Sequence, residues 1–277
     1  MKRDFISILD WTTGEILDNI DFAIELKQKT KEGMCPKLLE GKNYGIFFHK
    51  PSLRTRLSFE VGITQLGGSS MVLSEQDFKI GERETVSDVA RVMSRYVDGI
   101  LIRTFSHQMV LDLAKHASVP VINMLTDYNH PCQLMSDVLT IKEKLGRIDN
   151  LRIAYLGDSN NMTVSWLNLA GRIPLDLRIG TSPETMPDMK LVNEIKELGI
   201  STINITNSAL LGLIAVAVPL TLFIPKPGRL SIKCSPGKSN IVVFSTKSLS
   251  FPLRYENLAD SISALCKVLN GFVNELP

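Results

Sequence analysis

Tyr44-Gly45-Ile46-Phe47-Phe48-His49-Lys50-Pro51-Ser52-Leu53-Arg54-Thr55-Arg56 is the stretch from which the fold can be read. Tyr44 to Phe48 is a short apolar run, suited to a strand buried in a parallel sheet. Ser52 to Leu66 reads as a helix that Gly67-Gly68 ends. A strand passing straight into a helix is the unit of α/β architecture, and the same alternation continues outward. Helical patterning covers residues 12–31, 85–96, 108–117, 133–145, 162–170 and 189–198. Strand-like runs occupy residues 70–73, 99–103, 119–125, 151–156, 175–179 and 201–205. The expected fold class is therefore α/β, with two doubly wound parallel-sheet domains, the second incomplete in that the alternation runs only to about residue 207. Residues 1–133 form the first domain, 134–150 a linking helix and 151–277 the second domain, which turns atypical from about residue 208.

Composition narrows the function classes. The 277 residues carry a net charge of +2, and 44% are hydrophobic, as in an ordinary globular protein. Near-neutrality gives no electrostatic reason to expect nucleic acid as a partner. Cys35, Cys132, Cys234 and Cys266 are too widely spaced for a disulfide framework or a zinc motif. Met1-Lys2-Arg3-Asp4-Phe5-Ile6 lacks the apolar run of a secretion signal. The expectation is a cytoplasmic protein.

Three segments combine residue types that handle anions and carbonyl groups. His49 to Arg56 lies where a strand gives way to a helix. Free N–H groups and the helix dipole there favour an anion, and Ser, Thr and Arg add donors. The same pattern also fits a capped helix with solvated arginines. Arg103, in Ile102-Arg103-Thr104-Phe105-Ser106-His107, sits at the carboxyl end of a strand, where open α/β sheets bind ligands. It fits equally a surface arginine beside a helix cap. Asp127-Tyr128-Asn129-His130-Pro131-Cys132-Gln133 also follows a strand. His can polarise a carbonyl oxygen, Gln can orient an amide, and Pro131 fixes a turn. A helix-entry loop with a hydrogen-bonded histidine is the alternative.

All three segments follow consecutive strands, so they should meet in one crevice. Together they resemble a known family. Ser-x-Arg-Thr-Arg, then Arg-Thr after a strand, then His-Pro-Cys-Gln is the pattern of the carbamoyltransferases of aspartate and ornithine, and the match covers about residues 1–207. The resemblance implies a carbamoyl phosphate domain, an amino-acid domain, and a homotrimer with active sites between subunits. It implies that Ser52, Leu53, Arg54, Thr55 and Arg56 cradle the phosphate. Thr55, Arg103 and His130 would contact the carbamoyl oxygen, and Gln133 the amide nitrogen. Arg54, Thr55, Arg103 and His130 are thus the expected catalytic set, with no metal and no cofactor.

Leu156-Gly157-Asp158-Ser159-Asn160-Asn161-Met162 resembles the ornithine enzymes, in which the second Asn contacts the amino acid, here Asn161. Read locally, Asn160-Asn161 is equally a strand-to-helix cap. The implied partners are carbamoyl phosphate and ornithine. Lys79 departs from the pattern, since ornithine enzymes commonly place Gln or His there. It is either a phosphate contact made in the neighbouring subunit's site or a solvated loop lysine.

Beyond Asn207 the family's landmarks vanish: there is no Ser-Met-Gly loop and no His-Cys-Leu-Pro turn. The chain has 29 acidic residues, yet Ser208 to Tyr255 has none and carries Lys226, Arg229, Lys233, Lys238, Lys247 and Arg254. Ala209 to Ile224 is almost wholly apolar, but with Pro219 near its centre it is shorter than the ~20 residues a membrane span needs. A divergent pair of core strands is a second explanation, and a shifted reading frame a third. Val218 to Gly228 can be encoded so that an overlapping frame reads Ala-Ala-Asp-Val-Ile-Tyr-Thr-Glu-Thr-Trp, which resembles the family's strand before its substrate loop. A tail of that origin would leave a strand edge of the second sheet uncovered. The coding nucleotides are expected to contain this overlapping strand. A nucleotide sequence without an Asp-Val-Ile-Tyr-like reading there removes the frame-shift explanation.

Overall fold

The structure, a computed structural model, describes residues 2–74, 80–81, 84–207, 231–235 and 238–245, the last two segments as backbone only. Lys79, the apolar run 209–224 and the tail on either side of residues 231–235 and 238–245 lie outside the described residues. Two compact units divide the chain, the first running to Thr140 and the second starting at Ile141.

The first unit begins with a single turn of 3-10 helix, Ile8–Asp10, capped by Ser7 and absent from the sequence reading. Helix α1 (Thr13–Lys31) follows, with Thr12 and Glu15 forming a reciprocal capping box. Strand β1 (Asn43–Phe48) is buried from its second residue onward, as its apolar run requires. Helix α2 (Leu53–Gln65) starts at the Ser52 cap. It ends where Gly67 takes φ +90° and the Gly68 N–H reaches back to the Ile63 carbonyl at 2.9 Å, a left-handed stop that favours glycine.

Next come β2 (Ser69–Ser74), α3 (Val86–Met93), β3 (Gly99–Arg103), α4 (His107–His116), β4 (Val121–Leu125) and α5 (Pro131–Leu145). All pairings in the sheet are parallel, in the order β2-β1-β3-β4. The chain leaves β1 toward one edge and β3 toward the other. The sheet therefore has a topological switch point between β1 and β3, the place where such sheets open a crevice at their carboxyl ends. The expected helix at Gln133 begins two residues earlier. Pro131 is its first residue and not part of a turn, because proline's fixed φ and missing N–H suit that position.

The N-terminal segment lies along β4. The Phe5 N–H donates to the Val121 carbonyl, and the Asn123 N–H donates to the Phe5 carbonyl, each at 2.9 Å. Phe5 is fully buried, with its ring centroid 4.4 Å from that of Trp11.

The second unit contains β5 (Leu151–Leu156), α6 (Asn161–Ala170), β6 (Leu175–Gly180), α7 (Met189–Glu197) and β7 (Thr202–Thr206). A short 3-10 turn, Pro183–Thr185, precedes α7. Two further strands, β8 (Ser231–Ser235) and β9 (Lys238–Ser245), complete a sheet of order β7-β6-β5-β9-β8. β9 runs parallel to β5, and β8 is antiparallel to β9. The uncovered edge expected of an atypical tail is thus not found at β5. Backbone pairing needs only an extended segment of suitable length, and Lys238–Ser245 provides one.

No described helix is long and apolar enough to cross a membrane. Truncating Phe5 to Ala leaves a cavity against Trp11 and should cost about 3 kcal/mol. Urea unfolding followed by circular dichroism should show this loss. Tyr96→Ala, at a 75% exposed position, should stay within about 0.5 kcal/mol of the parent chain.

Candidate active site

At the switch point of the first sheet, the start of α2 meets the ends of β3 and β4. Ser52 has extended backbone (φ −162°) and caps α2, its Oγ accepting the Thr55 N–H at 3.4 Å. The first intrahelical bond found here is Arg56 N–H to the Ser52 carbonyl. The Leu53 and Arg54 N–H groups therefore precede the hydrogen-bonded ladder and point out of the helix start. Leu53 contributes backbone only, since its side chain is 72% exposed.

Arg103 spans the switch point. Its Nε donates to the Lys50 carbonyl at 3.2 Å and its Nη1 to Thr55 Oγ1 at 3.4 Å. Ser52 Oγ also donates to Thr55 Oγ1, at 2.9 Å. Two donors thus converge on the Thr55 oxygen, leaving that hydroxyl's own hydrogen to point at a further acceptor. The β3–β4 register shifts between Ile102 and Arg103, an irregularity of the kind that re-aims a side chain at a sheet end.

Burial pulls the Arg103 pKa down, and the neighbouring Arg54 charge acts in the same direction. Among the described residues, neither guanidinium has an ion-pair partner. Two adjacent cations beside the positive end of a helix are an unneutralised charge that an anion would relieve. Arg56 is placed differently: its Nε pairs with Glu60 at 2.9 Å on the exposed face of α2.

The loop before α5 is fixed from below. Asn123 Nδ2 donates to the Ile6 carbonyl at 3.0 Å and to Asn129 Oδ1 at 2.5 Å. The Asn129 N–H reaches Thr126 Oγ1 at 3.2 Å. Lys50 ties this loop to the one after β1, with Nζ 3.0 Å from Asp127 and 4.8 Å from the Phe105 ring centroid. This support holds His130. The His130 Nδ1 accepts the Gln133 N–H at 3.4 Å, so its proton sits on Nε2. Burial, then the Arg103 charge, lower the His130 pKa to about 3, so the ring is neutral at physiological pH.

Cys132 is not a nucleophile here. Burial raises its thiol to about 12, and Sγ donates to the Asn123 carbonyl at 3.3 Å. Gln133 Nε2 donates to Asp137 Oδ1 at 3.0 Å. Burial pushes the Asp137 carboxyl up to about 7, with the Gln133 amide acting in the opposite direction. The sequence reading passed over Asp137. Its signal is the four-residue spacing from Gln133, which puts both on one helix face.

In the second unit, Asn161 is the first residue of α6, and Asn160 is the cap. Asn160 Oδ1 accepts from the Met162 N–H at 2.8 Å and from the Tyr155 hydroxyl at 3.0 Å.

Residues 3–143 match the family model described as "Aspartate/ornithine carbamoyltransferase, carbamoyl-P binding domain". The chain belongs to the aspartate/ornithine carbamoyltransferase family. It is 48% identical over 206 residues to a pea protein named "Ornithine carbamoyltransferase, chloroplastic", covering 74% of this chain and 55% of that one. It is 46% identical over 205 residues to an ornithine carbamoyltransferase of Syntrophus aciditrophicus, covering 73% and 68%. Among solved structures, the ornithine carbamoyltransferase from Pyrococcus furiosus superimposes with a TM-score of 0.70 at 40% identity, covering 73% of this chain and 66% of that one. The chain thus spans little more than half the length of the pea relative.

The neutral His130 has a readable consequence. Nitrogen-15 shifts of the labelled protein should keep the Nε2–H tautomer from pH 8 down to pH 5; a protonation midpoint near 6.5 would contradict it. The unfolded chain takes up this proton near pH 6.5, but the folded chain only near 3. His130 therefore withdraws stability as pH falls from 6.5 toward 3.

Proposed function

We propose that this chain is built for carbamoyl transfer, moving the carbamoyl group of carbamoyl phosphate to the side-chain amine of ornithine, with citrulline and phosphate as products. The observation that carries the reading is the half-buried Arg103 guanidinium beside the exposed Arg54 charge at the start of α2, with the Thr55 hydroxyl that Arg103 binds and a neutral His130.

In this reading the Leu53 and Arg54 N–H groups, with Ser52, Arg54, Thr55 and Arg56, receive the phosphate. Arg56 would have to leave Glu60 to join them, a small cost for an exposed pair. Thr55, Arg103 and His130 Nε2–H face the carbamoyl oxygen, and Gln133 the amide. The unprotonated amine uses its lone pair to form a C–N bond at the carbonyl carbon. Negative charge builds on the carbonyl oxygen, where donors already in place stabilise it most. The bond between the carbonyl carbon and the bridging oxygen then breaks, phosphate leaves with that oxygen and the electron pair, and the nitrogen loses a proton. Holding both substrates together lowers the remaining barrier.

The ornithine assignment rests on Asn161 and on the names of the relatives. Residues 1–133 would form the carbamoyl phosphate domain, 134–150 the link and 151–277 the amino-acid domain. A homotrimer with Lys79 reaching a neighbouring site belongs to the same proposal, as does a cytoplasmic setting.

A second reading is a protein that binds carbamoyl phosphate without turnover. It is favoured by the acid-free stretch 208–255 standing where the family's second-substrate loops are expected. Colorimetric assay of citrulline from the purified chain separates the two. Turnover that falls at least ~100-fold in Arg103→Ala supports transfer. Ligand binding without citrulline supports the second reading, and turnover of aspartate in place of ornithine overturns the substrate assignment.

A further inference from the structure

We propose that Asp137 is a positioning residue that sets which end of the Gln133 side-chain amide faces the substrate. This rests on the proposed contact between Gln133 and the carbamoyl amide. A glutamine amide has an oxygen that accepts and a nitrogen that donates, and a simple rotation exchanges them. The two orientations have opposite meanings for a ligand. A primary carbamoyl amide presents N–H groups, so it needs the glutamine oxygen.

Asp137 breaks the symmetry. It lies four residues after Gln133, one turn along α5, with Oδ1 3.0 Å from Gln133 Nε2. An ionised carboxylate only accepts, so it holds the NH2 end and leaves Oε1 facing away from itself. Among the described residues, Gln133 Oε1 has no hydrogen-bond partner, and the side chain is exposed at the start of α5. The same helix turn anchors His130 through the Gln133 backbone N–H, at 3.4 Å. One residue thus links both expected carbamoyl contacts, its main chain orienting the histidine and its side chain being oriented by Asp137. Such support behind a ligand-facing group commonly fixes its tautomer or rotation.

The test compares two ligands at pH 8.5, above the value of about 7 to which burial raises this carboxyl. Inorganic phosphate needs only the α2 start and the arginines. Phosphonoacetamide, a stable phosphonate with a primary amide, needs Gln133 as well. Titration calorimetry on the full chain measures both. Asp137→Asn keeps the shape but offers either an oxygen or an NH2 group, so the Gln133 amide is no longer held one way. Phosphonoacetamide affinity should fall about tenfold while phosphate affinity stays within twofold. Gln133→Ala should show a similar loss, and Gln133→Ala with Asp137→Asn should be no worse than Gln133→Ala alone.

If Asp137→Asn does not fold, Asp137→Thr serves, since a hydroxyl also accepts or donates. Parallel loss of both ligands would make Asp137 merely structural and overturn the inference. Selective binding retained in Asp137→Asn but lost in Gln133→Ala would overturn it while leaving the carbamoyl reading intact. No effect of Gln133→Ala would instead remove the Gln133 contact, and the inference with it.

Discussion

The site depends on one desolvated cation. Arg103 sits at the end of β3, at the point where the sheet's connections diverge, and binds the backbone after β1 and the hydroxyl of Thr55. Two hydrogen bonds do not neutralise a guanidinium, and burial makes the missing counter-charge costly. Arg54 adds a like charge nearby. The fold tolerates this because Arg103 is held by the Lys50 carbonyl and Thr55, and Arg54 stays exposed to solvent. A dianion entering the crevice would supply the counter-charge. The same desolvation keeps His130 neutral and Cys132 protonated.

The support behind the crevice comes from residues far apart in the chain. The segment around Phe5 adds to the edge of β4, and Ile6 offers its carbonyl to both Asn123 and Asn129. Those two amides shape the turn that delivers His130 to the start of α5. Lys50 binds across to Asp127, joining the loops after β1 and β4. Rigidity of this kind suits electrostatic stabilisation, because donors that need not move cost little to bring into position.

The second unit shows a different balance. Its β5–α6 crossing repeats the strand-to-cap arrangement of the first unit, with Asn160 filling the cap and Asn161 opening the helix. Its sheet is extended by β9 and β8, from a stretch that has neither the charge balance nor the motifs of the preceding residues. Main-chain pairing is indifferent to most side chains, so strands can form in a stretch of such unusual composition.

Much of this was legible in the residues alone. The apolar run Tyr44–Phe48, the Ser52 cap, Gly67 and the repeated strand-helix alternation determine the α/β class, because burial and backbone conformation act locally. The motif residues Ser52, Arg54, Thr55, Arg103, His130 and Gln133 were legible as types suited to anions and carbonyls. Only the tertiary structure decided the rest. Strand order placed β1 beside β3, and with it Arg103 against Thr55, residues 48 positions apart. The neutrality of His130, the diversion of Arg56 to Glu60 and the grip of Asp137 on Gln133 depend on depth and distance, which no linear pattern records. Pro131 reads in sequence as a turn and in the fold as the first residue of a helix, since both states share its fixed φ.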